Sequence, residues 1–169
     1  MTESNLILGI AGLPPESARN CIQELSPIAN GEFRKSINGN LMFLETTERK
    51  KYKSTISCSD TASPIADKLW IGSQITVGCI QNLWQSIMPG ERQATLIRPA
   101  VAGSICVINN FGKHVPFQCT DNVVDLYRPY EEQLFICFRP WLTMLVKSFQ
   151  IMSNEWDLTG GWKLELEEV

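Results

Sequence analysis

Histidine is nearly absent from this chain: His114 is the only one in 169 residues. With no second histidine and no Cys-x-x-Cys, the ligand spacing of a zinc or His-ligated iron site is missing, and no metal is expected. A Ser-His-Asp or Cys-His nucleophile would have to use His114, and no Gly-x-Ser-x-Gly elbow accompanies it. Within Gly112-Lys113-His114-Val115-Pro116 it reads as a loop or strand-start histidine, so no catalytic residue is assigned. Gly-x-Gly-x-x-Gly and Walker-type loops are missing too, which leaves nothing to cradle a phosphate and no cofactor to expect.

Positive charge is also scarce. Arg49-Lys50-Lys51-Tyr52-Lys53 is the one basic cluster in a chain of net charge −3, which argues against nucleic-acid recognition and leaves the cluster as a solvated loop or edge strand. No apolar run approaches membrane-spanning length, so no membrane insertion is expected. The N-terminus carries Glu3 and no basic stretch, unlike a secretory signal. Long amphipathic helical periodicity is missing as well.

Short alternating segments are plentiful. Trp162, Leu164 and Leu166 alternate with Lys163, Glu165 and Glu167, the pattern of a strand with one buried face. Before it, Trp141–Ile151 reads as a longer strand whose first half is buried on both faces. Thr159-Gly160-Gly161 joins the two into a C-terminal hairpin, with Trp141 and Trp162 in the core and Glu165 and Glu167 either blunting an edge or meeting basic groups on a neighbouring copy. Asn38-Gly39, between Phe33–Ile37 and Leu41–Leu44, predicts a second hairpin. Further strands are expected at Leu6–Ile10, Cys21–Leu25, Tyr52–Cys58, Gln74–Ile80, Thr95–Ile97 and Ser104–Ile108. Residues 109–132, with Gly112, Pro116 and Pro129, read as an irregular excursion holding one short strand near Val115–Cys119. The expected fold is mainly β: a single sandwich or barrel-like domain over 1–169, with that less regular insertion. The length suffices for a core without disulfide staples. The six cysteines, at 21, 58, 79, 106, 119 and 137, have apolar neighbours and read as buried free thiols in strands, as suits a reducing cytoplasm.

Candidate chemistry is sparse. Asp60 and Asp67 bracket Pro64 and could meet a cation, but such residues more often cap turns. Glu131-Glu132 and Glu165, Glu167 and Glu168 read as solvated faces. The sharper signal is apolar. Leu83, Trp84, Ile87 and Met88 read as tips of a loop ending at Pro89-Gly90, and Trp156 falls in a second loop. These five residues are the interface candidates.

Several blocks carry a family likeness. They are Leu13-Pro14-Pro15-Glu16-Ser17-Ala18-Arg19, Phe33-Arg34-Lys35-Ser36-Ile37-Asn38-Gly39, residues 51–60, residues 69–77, Phe138-Arg139-Pro140-Trp141-Leu142-Thr143-Met144 and the ending 162–169. Together they resemble small structural tail proteins of long, non-contractile-tailed bacteriophages, found among tail-tip genes. Residues 81–134 lie outside the resemblance. It implies a non-enzymatic virion component made in the host cytoplasm: a distal-tail type subunit that forms a ring, hexameric by analogy, between the tail tube protein and the tail-tip hub protein. A tail terminator or head-tail connector is the alternative within that class. From a different class, loop tryptophans and paired carboxylates would also fit a small carbohydrate-binding or cell-wall-active β-domain.

Overall fold

The computed structural model describes residues 4–45, 50–156 and 160–169. In chain order its strands are β1 (Ile7–Leu8), β2 (Cys21–Pro27), β3 (Gly31–Lys35), β4 (Leu41–Glu45), β5 (Tyr52–Cys58), β6 (Gln74–Gly78) and β7 (Leu83–Ile87). They continue as β8 (Gln93–Thr95), β9 (Cys106–Ile108), β10 (Phe117–Thr120), β11 (Val123–Leu126), β12 (Leu134–Phe138), β13 (Trp141–Ser153) and β14 (Gly160–Glu168). Helix among the described residues is confined to a short 3-10 turn, Ala66–Lys68. The fold is mainly β, built of curled antiparallel sheets.

The largest sheet has six strands in the order β1-β6-β13-β14-β5-β2. Alternation along each strand sends one row inward: Ile56, Ile75, Val77, Leu142, Met144, Val146, Trp162, Leu164 and Leu166 are all buried in one cluster. The sheet curls around this row. Its edge strand β2 reaches back to the chain leaving β6, where the Gln23 side chain accepts from Ile80 N at 2.7 Å and Gln81 N at 3.1 Å and donates to Ser54 Oγ at 3.0 Å. β13 and β14 pair as the expected C-terminal hairpin, with Gly160 and Gly161 already in β14 opposite Ser153 and Met152 and Thr159 outside the described residues, but the first strand is not buried on two faces. Thr143 and Leu145 are exposed opposite the buried Leu142, Met144 and Val146. A bulge follows, where the register shifts between Val146 and Ser148 and Lys147 goes unpaired. The extra residue swaps the faces, so Phe149 packs against the core and the even-numbered row turns outward. Nor do Glu165 and Glu167 mark an edge. β14 lies between β13 and β5, and these carboxylates pair with Lys163 at 2.8 Å and Lys147 at 3.1 Å.

Strands β6 and β13 are neighbours in this sheet, yet residues 79–140 separate them in sequence. That insert has its own core of Ile87, Leu96, Val107, Val115, Val124, Leu126, Leu134, Ile136 and Phe138, held between two three-stranded sheets, β7-β12-β9 and β10-β11-β8. The short strand expected near Val115–Cys119 is β10, but residues 109–132 are more regular than expected, because a second strand follows it. They supply β10 and β11 and place Val124 and Leu126 in the second core. The two cores are tied through Arg98 and Glu168. Arg98 Nε donates to Glu168 Oε1 at 2.6 Å, and Glu168 Oε2 accepts from Tyr52 N at 2.9 Å. Glu168 is thus a nearly buried clamp and not a solvated carboxylate.

Two turns show how local sequence sets this frame. The β3–β4 turn has three residues: Gly39 N donates to Ser36 O, Ser36 N to Asn40 O, and Gly39 takes φ +81°. A left-handed glycine closing a three-residue loop is the standard alternative to the two-residue turn, so Asn-Gly marks the hairpin here through the longer of the two loops. At the Pro14-Pro15 corner, Ser17 Oγ donates to Pro14 O at 2.6 Å, and Trp162 Nε1 donates to Ser17 O at 2.7 Å. The indole of the last strand thereby fixes the corner, and its N–H is satisfied in the core.

Candidate interaction surfaces

The segment 83–90 is not an apolar loop, because its first five residues form β7 and pair with β12. Pairing fixes which side each candidate faces. Leu83, Gln85 and Ile87 point to the second core; Ile87 is 1% exposed and closed to a partner, and Leu83 is partly buried there. Trp84 and Ser86 point the other way, and Trp84 is 59% exposed. Met88 lies past the strand and is exposed, and Trp156 stands 89% exposed beside Asn154, whose Oδ1 accepts its N–H at 3.0 Å. The structure thus splits the five candidates. Trp84, Met88 and Trp156 stay on the surface, while Leu83 and Ile87 belong to the interior. Gln85 explains the misreading. A polar residue on the inward row breaks the apolar alternation, but its amide donates to Thr95 O at 2.7 Å and accepts from Ile97 N at 3.2 Å.

The outer face of the β7-β12-β9 sheet is the first candidate surface. Register sets Trp84, Cys137 and Cys106 in one row, and Ser86, Phe135 and Ile108 in the next. Apart from Ser86 this face is apolar or thiol-bearing; Trp84 is exposed on it, and Phe135, Cys137, Cys106 and Ile108 are half-buried.

The β3–β4 hairpin is a second surface that sequence reasoning did not single out. Among the described residues it pairs with no further strand. Phe33, Ile37, Leu41, Met42, Phe43 and Leu44 are all exposed, with Phe33 at 66% and Leu41 at 65%. Phe33 and Phe43 meet across the strands as a tilted ring pair, with centroids 4.8 Å apart and planes at 51°. Consecutive Leu41-Met42-Phe43-Leu44 is the composition of a strand buried on both faces, yet the single chain covers neither. An isolated two-stranded hairpin is marginal in water. The signal was the unbroken apolar run itself.

The polar groups of the chain are mostly structural. Asp60 takes Arg19 in a fork, with Nη2 donating at 2.7 Å and Nε at 3.2 Å, and accepts from the backbone N–H of Arg19 and Thr61. Arg19 is the main reason that the Asp60 carboxyl sits at about 2, below its ordinary value. Asp60 is therefore an anchor between β5 and the corner before β2, and Asp67, exposed in the 3-10 turn, does not join it. No group of three or more metal-ligating side chains occurs among the described residues. Because the folded value lies below the unfolded one of about 3.9, the stabilisation is present above that value and is lost as pH falls toward about 2. Asp60→Asn is expected to cost at most about 1.5–3 kcal/mol near neutral pH, the range for hydrogen bonds to a charged group, because Arg19 is half-exposed and so partly screened. Thermal unfolding at pH 7 and pH 2 checks it: the gap between variant and parent should narrow at the lower pH.

The cysteines divide by environment. All six are free. Cys58 and Cys79 are buried, and burial lifts the Cys79 thiol to about 11. Cys21, Cys106 and Cys137 are half-buried and Cys119 is exposed, so the expectation of six buried thiols fails at these four. Cys106 Sγ lies 3.2 Å from His114 Nδ1, a contact that their separation of eight residues did not reveal.

Scanned against models of known protein families and against curated protein sequences, the chain matches none.

Proposed function

We propose that this chain is a non-enzymatic structural subunit of a bacteriophage tail tip, a distal-tail type protein that assembles with copies of itself into a ring between tail tube and tip hub. The tail class rests on the sequence resemblance. The assembly rests on one observation: a solitary hairpin whose apolar strand is exposed on both faces. Other copies of the chain are the proposed occupants, since a closed ring needs a patch that meets a complementary patch on the same molecule. The hairpin and the Trp84 face supply two distinct apolar surfaces for such a head-to-tail contact.

Two measurements test this reading. The native mass of the purified chain should be a multiple of 19.0 kDa. Labelled protein should map to the distal end of purified tails. A label at the head-proximal end would move the chain to a terminator or connector, and a monomer with no place in the particle would overturn the proposal. Trp84→Ala bears on one face alone. Trp84 lies outside both cores, so the melting temperature of the free subunit should stay within a few degrees, while ring assembly weakens by about 2 kcal/mol or more per contact. A large loss of monomer stability would place Trp84 in the fold and not in a contact.

A further inference from the structure

We propose that Cys106 and Cys137 form a redox-active cross-strand dithiol, with His114 as the base that takes the Cys106 proton. The two cysteines are direct partners on antiparallel β9 and β12. Facing residues on such strands put their side chains on the same side, with Cα atoms roughly 4.5 or 5.5 Å apart depending on the pair type. Both separations fall within the range of about 4.4–6.8 Å that a disulfide spans. His114 is delivered by local chemistry. Asn109 Oδ1 accepts from Phe111 N and Lys113 N, Gly112 N donates to Asn109 O, and Ile108 and His114 then form an isolated bridge. That turn sets the imidazole Nδ1 3.2 Å from Cys106 Sγ, where it can accept the thiol proton. A shallow groove of about 350 Å³, lined in part by Cys106, His114, Pro116 and Tyr127, leaves the sulfur open to a small molecule.

A second cysteine pair in the same chain sharpens the inference. Cys21 and Cys58 also face each other, across β2 and β5. Burial first, and then the hydrogen bond to Cys58, push the Cys21 thiol well above its ordinary value, and no imidazole stands beside either sulfur. Facing geometry is common to both pairs, whereas an imidazole stands beside Cys106 alone, at the groove, and burial, followed by the nearby Cys106, raises the Cys137 thiol so that it serves as the second, resolving sulfur.

The oxidant is a small disulfide such as glutathione disulfide. The Cys106 thiolate attacks one of its sulfurs, the S–S bond breaks, and one glutathione thiolate leaves and takes the proton held by His114. Cys137 then gives up its proton and attacks the Cys106 sulfur of the mixed disulfide, releasing the second glutathione thiolate, which takes that proton. Two protein thiols are oxidised to one disulfide, and one glutathione disulfide is reduced to two thiols. The product staples β9 to β12 within the Trp84 row. The chemistry does not depend on the proposed place in a tail.

The test uses the full chain carrying Cys119→Ser, because exposed Cys119 would take adducts of its own. After reduction, the protein is exposed to glutathione disulfide near neutral pH, quenched in acid, alkylated and mapped by mass spectrometry. The expected result is a Cys106–Cys137 cross-linked peptide, formed while Cys21, Cys58 and Cys79 remain reduced. Cys137→Ser should trap glutathione on Cys106. His114→Gln should slow that adduct by about tenfold, less than the roughly 100-fold at which general-base assistance begins in enzymes, since an open groove positions the incoming sulfur loosely. Absence of the Cys106–Cys137 link, or earlier linkage of Cys21 to Cys58, would overturn the dithiol. An unchanged rate in His114→Gln would overturn the role of the histidine.

Discussion

Deleting residues 162–169 is expected to leave a chain that no longer folds cooperatively. The strand removed is not a terminal fringe. β14 lies inside the six-stranded sheet, so its loss strips the hydrogen-bond ladder from β13 on one side and from β5 on the other. Trp162, Leu164 and Leu166 leave the core with it, and all three are at most 2% exposed. Large buried side chains cost about 2–5 kcal/mol each when cut back, and a whole domain holds only about 5–15 kcal/mol. Three such losses match or exceed the total before the ladders are counted. Glu168 departs as well, leaving Arg98 without its partner between the two cores. Trp162→Ala is the milder version. It removes the largest fully buried side chain and leaves Ser17 O without its donor, for an expected cost of about 3–5 kcal/mol. Circular dichroism and thermal melts of both variants check the assignment. A truncated chain with a sharp thermal transition would show that β14 is dispensable to the core.

Wherever the physics is local, the sequence carried these elements. Trp162, Leu164 and Leu166 alternate because one face of β14 is wet, and Asn38-Gly39 marks a hairpin because glycine reaches a left-handed conformation without strain. The errors arose where a distant partner changes what a residue means. Gln85 looks like the end of a strand until Thr95 and Ile97 satisfy its amide inside one. Glu168 looks solvated until Arg98 arrives from another lobe. The bulge at Lys147 flips the inward row of β13, and no local rule marks an extra residue in a thirteen-residue strand. Likewise the nearness of Cys106 to His114 depends on a turn and an isolated bridge, neither of which a spacing motif records. Burial of Leu41–Leu44 is the reverse case. Composition calls for two covered faces, and the single chain supplies none.

Replacing Phe33 and Leu41 together by threonine is expected to abolish ring assembly while leaving the subunit folded. Both residues lie on one face of the hairpin, beside Phe43 and Lys35, and both are about two-thirds exposed. Threonine keeps the β-propensity of the strands, so the change removes apolar surface without disfavouring the backbone. Neither residue touches the two cores, and exposed substitutions of this kind usually move stability by less than about 0.5 kcal/mol each. The Phe33–Phe43 ring pair is lost as well, worth about 0.5–1.5 kcal/mol, but that loosens the hairpin and not the sheets behind it. At a subunit contact the arithmetic differs. Two central anchors at about 2 kcal/mol each weaken one contact by about 4 kcal/mol, close to 1,000-fold. A ring repeats the loss at every contact by symmetry, so a concentration that holds the parent as a ring should hold the variant as a monomer. Sedimentation and thermal unfolding of the same sample separate the outcomes. Retained assembly at an unchanged melting temperature would remove the hairpin from the interface. A fall of ten degrees or more in the monomer would correspond to about 2.5–5 kcal/mol, more than an exposed arm can supply, and would make the hairpin part of the fold itself.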